Sequence, residues 1–148
     1  MNLLAMDANL LLYAYSQASP WHAEARAFLE GVATREDVAI SEMVLVEFYT
    51  LLRNPAVLVK PLGAAESVGV IQSYRQHPNW VLLGFDPDTV GLHDELWKLA
   101  SGRRFGRRQI YDARLALALR RQGVSEFATA NVKHFDGLGF QRVWNPVA

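Results

Sequence analysis

LLAMDANLLLYAY, residues 3 to 15, holds one charged residue, Asp7, inside an otherwise almost unbroken apolar run. Residues 2 to 6 read as a short buried strand, and LLLYAY after Asp7 as the start of a helix. A lone carboxylate in such a run costs several kcal/mol unless a cation, a hydrogen-bond network or protonation compensates it. Asp7 therefore has one of two explanations. It caps the helix beginning at Ala8, for which aspartate is a favoured residue, or it belongs to a chemical site.

The alternation continues outward from this stretch. Ser19-Pro20 is a helix-start pair opening WHAEARAFLEG, which Gly31 ends. Residues 38 to 41 form a second strand, followed by the helix EMVLVEFYTLLRN, stopped by Asn54-Pro55. Residues 64 to 76 are helical, 80 to 85 a third strand, and Asp86-Pro87 starts the helix DTVGLHDELWKLA. SGRRFGRR is a basic, glycine-containing loop, and QIYDARLALALRRQG is a long helix closed by Gly123. Residues 126 to 130 make a fourth strand and 142 to 144 a fifth. Strands separated by helices of this length imply an α/β fold, with a parallel central sheet of four to five strands flanked by helices on both faces.

At 148 residues the chain is expected to form one domain with one core. Lys plus Arg and Asp plus Glu stand at 15 each, so overall charge gives no general attraction to nucleic acid or anionic membrane. Cysteine is absent, which excludes disulfides and thiolate metal sites and fits a reducing cytoplasm. No apolar stretch approaches the roughly 20 residues needed to span a bilayer. A soluble, cytoplasmic protein with no membrane partner is expected.

Three acids stand inside apolar runs: Asp7, Glu47 in MVLVEFYTLL, and Asp112 in IYDARLALAL. The helices carrying Glu47 and Asp112 are apolar on nearly every face and read as largely buried. Asp7 follows the first strand and Asn131 the fourth, and in open parallel sheets ligands bind at the carboxyl ends of strands. If Asp7, Glu47 and Asp112 converge there, each pair about 4 Å apart repels by roughly 4 kcal/mol at an effective dielectric near 20. They then protonate or recruit a cation. A hard divalent ion such as Mg²⁺ takes one or two carboxylates, keeps several waters and accepts phosphate oxygens in the remaining positions, so phosphodiester hydrolysis follows. The plainer alternatives are an arginine partner for Glu47, and for Asp112 a helix cap or a pair with Arg108.

MDANLLLYAY, SEMVLVEFYTLLRNP, GRRQIYDARLALALRRQG and FATANVKHFDGLGFQRVWNP, in this order, resemble the PIN-domain ribonucleases, particularly the VapC-type toxins of toxin–antitoxin pairs. The likeness covers nearly the whole chain and implies a single PIN-like domain over residues 1 to 148. It maps the family's metal-binding acids onto Asp7, Glu47 and Asp112, with Mg²⁺ or Mn²⁺ as the ion. A fourth family acid often stands just after the fourth strand, where this chain has Asn131, a neutral oxygen donor, and Asp136 is placed to compensate through water. Asn9 and Thr129 match the family's polar supporting residues, which orient the carboxylates. The implied substrate is structured RNA such as transfer or ribosomal RNA, and the implied partners are a VapB-like antitoxin and a second copy of the chain.

Arg103, Arg104, Arg107 and Arg108 beside the Asp112 helix, with Arg120 and Arg121 at its far end, offer a local phosphate-binding surface. Trp21, Tyr15 and Trp97 are interface candidates, although burial in the core is the expected fate of any one of them. The four histidines, His22, His77, His93 and His134, show no zinc-site spacing. Two rival functions are a haloacid-dehalogenase-type phosphatase, which lacks its second aspartate because Asn9 stands there, and a catalytically silent PIN-like module that binds RNA or protein.

Overall fold

The computed structural model describes residues 2–148. The elements in chain order are β1 (Leu3–Met6), α1 (Ala8–Tyr15), α2 (His22–Gly31), β2 (Val38–Ser41), α3 (Glu42–Leu52) and α4 (Ala64–Arg75). After these come β3 (Val81–Leu83), α5 (Thr89–Ala100), α6 (Gln109–Arg121), β4 (Val124–Ala128), α7 (Val132–Phe135) and β5 (Arg142–Trp144). The five strands form one sheet in the order β3-β2-β1-β4-β5, with every neighbouring pair parallel.

Parallel neighbours demand crossover helices, and right-handed crossovers fix where these lie. From β1 the chain steps through β2 to β3 in one direction, then returns across the sheet to β4 and continues to β5. Helices α1 to α4 therefore cover one face and α5 to α7 the other. Contacts agree, with α1 against α2 and α3, α3 against α4, and α6 against α5 and α7. Central β1 shows the consequence, because all four of its residues are buried, as expected for a strand covered on both faces. The order reverses between β1 and β4, whose carboxyl ends open a crevice at that switch point.

Local chemistry sets the element ends. Ser41 caps α3 by accepting from the Met43 N–H at 3.1 Å, and Asp88 caps α5 by accepting from the Gly91 N–H at 3.0 Å. Gly123, with φ +98°, ends α6 in the left-handed conformation that suits glycine.

Several expected boundaries shift. β3 is only Val81–Leu83: before it the Trp80 side chain turns into the core, where its indole donates to the Val32 carbonyl at 3.0 Å, and after it the partner strand ends at Ser41, which pairs with Leu83. β4 begins two residues earlier than expected, since Val124 pairs with Leu3 and the register then slips by one residue. Ser19 caps a turn, accepting from the Trp21 N–H at 3.2 Å, and α2 starts at His22. Tyr15, Trp21 and Trp97 are all exposed, contrary to the expectation of burial, with Trp97 at 60%. Among the described residues no helix is long and apolar enough to cross a membrane.

Candidate active site

Asp7 sits at the end of β1, in the crevice beside β4. Its backbone N–H donates to the Ala128 carbonyl at 2.9 Å, joining the ends of the two strands. Its side chain does cap α1, with Oδ1 accepting from the Ala8 N–H at 2.8 Å. The capping explanation therefore holds for Oδ1. The Thr129 hydroxyl donates to Oδ2 at 2.7 Å, and the Asn9 amide approaches the same oxygen at 3.5 Å. Asn9 in turn accepts from the Ala130 N–H at 3.3 Å, and Thr129 accepts from the Asn131 N–H at 3.0 Å. Asn9 and Thr129 thus both contact the Asp7 carboxylate, and Thr129 holds it in one rotamer.

Burial pushes the Asp7 carboxyl above the usual aspartate range. The bonds from Thr129 and Ala8 pull it back, the Asp112 charge raises it again, and His134 lowers it. Glu47, mid-way along α3, is also raised, first by desolvation and then by the charges of Asp7 and Asp112. Asp112, in the first turn of α6, is half-buried and raised by desolvation, with His134 opposing. The three acids are therefore linked by charge, Asp112 acting on Asp7 and both on Glu47. They do not form a closed cage: among the described residues no three Asp, Glu or His side chains are clustered tightly enough to enclose a metal ion.

The plainer partners are not the ones found. Among the described residues Glu47 has no arginine partner, and Asp112 pairs with His134 (Nδ1 to Oδ2, 3.5 Å) rather than with Arg108. The expected burial of the Asp112 helix holds, with residues 115 to 119 all buried, but that of the Glu47 helix needs correcting. Glu47 is exposed, and its neighbour Val46, 67% exposed, lines an open groove. Asn131 and Asp136 are both exposed. Asn131 reaches the cluster only through its backbone N–H on Thr129, and Asp136 ends α7 without a side-chain contact to the acids among the described residues.

His134 is the residue that spacing rules pass over. The one-turn helix α7 packs on α6 and brings the imidazole to Asp112, a tertiary contact with no sequence period. The basic surface divides as well. Arg103, Arg104, Arg107 and Arg108 are exposed, but Arg121 is held by Asp86, Asp88 and Glu95, and Arg120 donates to the Leu138 carbonyl. Arg121 is therefore unavailable to phosphate, because three carboxylates already surround it.

No protein-family model matches the chain. Ribonuclease VapC24 of Mycobacterium tuberculosis, from two strains, is 47% identical over 145 residues, covering 98% of this chain and 97% of the relative. Among solved structures, FitAcB from Neisseria gonorrhoeae superposes with a TM-score of 0.66 at 18% identity, covering 97% of this chain and 98% of its own. VapC20 of M. tuberculosis, described as a sarcin-ricin loop cleaving toxin, gives 0.62 at 17% identity over 84% and 86% of the two chains. DNA-bound VapBC of Salmonella typhimurium gives 0.61 at 17% identity over 99% of each. These structural likenesses speak to the fold alone, and the VapC24 identity speaks to descent. The chain belongs to the VapC family of PIN-domain proteins.

Proposed function

We propose that this chain is a metal-dependent endoribonuclease, the toxin of a cytoplasmic toxin–antitoxin pair, using Mg²⁺ or Mn²⁺ held by Asp7, Glu47 and Asp112. The observation that carries the reading is that the charge of Asp112 acts on Asp7, and the charges of both on Glu47, beside the β1/β4 switch point, in a chain 47% identical to Ribonuclease VapC24.

The donor set fits a hard cation. All three donors are carboxylates, and a divalent charge would offset both the burial that chiefly raises Asp7 and Glu47 and the neighbouring charge that adds to it. An open arrangement suits Mg²⁺, which binds through one or two carboxylates plus phosphate oxygens and retains water. When bound, the ion supplies Lewis acidity toward the phosphodiester and lowers the pKa of water.

The protein's own groups do the positioning. Thr129 and the Ala8 N–H hold the Asp7 carboxylate in one rotamer, so its orientation does not have to be found during binding. Asp112 and Glu47 approach from the helices on opposite faces of the sheet. Asn131, neutral where the family often has an acid, reduces the negative charge that the cation balances.

Structured RNA such as transfer or ribosomal RNA is the proposed substrate, in line with VapC20, which cleaves the sarcin-ricin loop. A VapB-like antitoxin is the proposed partner, as the VapBC neighbour suggests. A homodimer is supported by an apolar groove of about 760 Å³ that Val46, Tyr49, Val68, Ile71 and Phe85 line, with Phe85 76% exposed.

Incubating the purified protein with structured RNA in Mg²⁺ or Mn²⁺, with and without chelator, tests the reading alongside Asp7→Asn and Asp112→Asn. Metal-dependent cleavage lost in both variants is expected. Saturating ion should also stabilise the wild type, by about 2.7 kcal/mol at one hundred times Kd, and the variants less. RNA binding without cleavage would indicate a silent module instead, and turnover of p-nitrophenyl phosphate a phosphatase.

A further inference from the structure

Sorting the arginines by what they touch isolates one group. Arg26, Arg35, Arg75, Arg121 and Arg142 are each ion-paired, Arg53 donates to the Tyr49 hydroxyl and Arg120 to a carbonyl. Arg114 borders the apolar groove. Arg103, Arg104, Arg107 and Arg108, between α5 and α6, have no side-chain partner among the described residues, although carboxylates satisfy arginines elsewhere on the same surface. Four uncompensated guanidinium groups within six residues repel one another, and a polyanion relieves that repulsion.

The geometry joins this loop to the acids. Arg103, Arg104, Phe105, Gln109 and His134 line a cleft of about 410 Å³. His134 is also the residue facing Asp112, at 3.5 Å. The cleft therefore carries two of the arginines and, through His134, adjoins Asp112. The loop is braced as well, because the Gln109 carboxamide oxygen accepts from the Gly106 N–H and ties it to the first turn of α6.

Building on the ribonuclease reading, we propose that this cleft is a subsite for the phosphates that flank the scissile bond. Arg103 and Arg104 grip the RNA backbone there, and His134 lies between that grip and Asp112. Guanidinium groups suit phosphate through paired N–H donors. Part of the RNA affinity then resides outside the metal site and persists without metal. Substrates lacking phosphates on that side bind less tightly.

The test is fluorescence anisotropy of a labelled structured RNA in excess chelator, over a series of KCl concentrations. Wild type, the double variant Arg103→Ala/Arg104→Ala and the control Arg26→Ala/Arg35→Ala are compared. Losing two phosphate contacts makes the slope of log K against log salt shallower by about 1.4 to 1.8, while the control keeps the wild-type slope. Melting temperature does not fall in the cleft variant, since both residues are exposed and unpaired among the described residues. If wild type binds and cleaves RNA but the cleft variant keeps its slope, the subsite is refuted and the ribonuclease reading stands. If wild type neither binds nor cleaves RNA, both fail. Competition by polyglutamate as effective as by RNA would also overturn the proposal, making the cleft a dock for an acidic peptide.

Discussion

Replacing Thr129 with valine probes the link between fold and site most directly. Thr129 is fully buried, and its hydroxyl donates to Asp7 Oδ2 at 2.7 Å while accepting from the Asn131 N–H. Valine keeps the shape and removes both bonds. A hydrogen bond to a charged group contributes about 1.5 to 3 kcal/mol. The Asn131 N–H adds less, because its bond to Thr129 is between neutral groups and only part-buried. The expected loss is about 2 kcal/mol, a Tm lower by roughly 4 to 8 °C for a chain of this length. The sign with pH follows from Asp7. Its carboxyl lies above its ordinary value of 3.8 in the folded protein, so the protein gains stability as pH falls from above the folded value toward 3.8. Thr129 holds that carboxyl down, so the variant's carboxyl rises further, its gain on acidification is larger, and the difference from wild type is greatest at neutral pH. Thermal melts in chelator, followed by circular dichroism, read this out in wild type, Thr129→Val, Asp7→Asn and the double variant. A coupling of about 1 to 2 kcal/mol is expected. An equal cost of Thr129→Val with and without the Asp7 carboxylate would refute the reasoning. RNA cleavage should fall about 10- to 100-fold, as it does when groups supporting a metal ligand are lost.

What the sequence discloses depends on whether the deciding interaction is local. β1 is legible because a strand covered on both faces has no polar alternate, and LLAM is four buried residues in a row. The parallel order follows from helices between successive strands. The short α7 is not legible, since four residues carry no period, and neither is the trimmed edge of β3, where Trp80 favours the core over the sheet. Asp7, Glu47 and Asp112 are visible because a charge in an apolar run needs a reason. Their degree of burial is not visible. The apolar residues around Glu47 promise a buried helix, yet Val46 and Phe85 face an open groove, and apolar character alone does not distinguish core from interface. His134 and Arg121 escape for the same reason. Their partners lie on other elements, so the residue that touches Asp112 and the arginine withdrawn from the basic surface emerge only when α7 and α5 pack on α6.

Two further perturbations separate core from surface. Phe127 is fully buried, 4.7 Å from the Phe135 ring and 5.3 Å from Phe140, and Phe127→Ala should cost about 3 to 5 kcal/mol. Denaturant titration checks this, and a loss below about 1 kcal/mol would mean that the aromatic cluster does not anchor β4. Arg121→Ala leaves Asp86, Asp88 and Glu95 facing one another without a cation, so it should destabilise the protein at low salt. That loss should shrink toward 1 M salt, where screening acts within about 3 Å. Its pH dependence has a definite sign. The Asp86 carboxyl is held below its ordinary value of 3.8, first by the Asp88 N–H and then by Arg121. A depressed carboxyl contributes stability above 3.8 that is lost as pH falls through the folded value. Removing Arg121 leaves only the Asp88 bond to depress it, so the acid limb of the stability profile should flatten below about pH 4. Melts at pH 7 and pH 3, each at low and high salt, give the answer. An acid limb unchanged from wild type would mean that Arg121 does not hold Asp86, and would return Arg121 to the basic surface from which its ion pairs remove it.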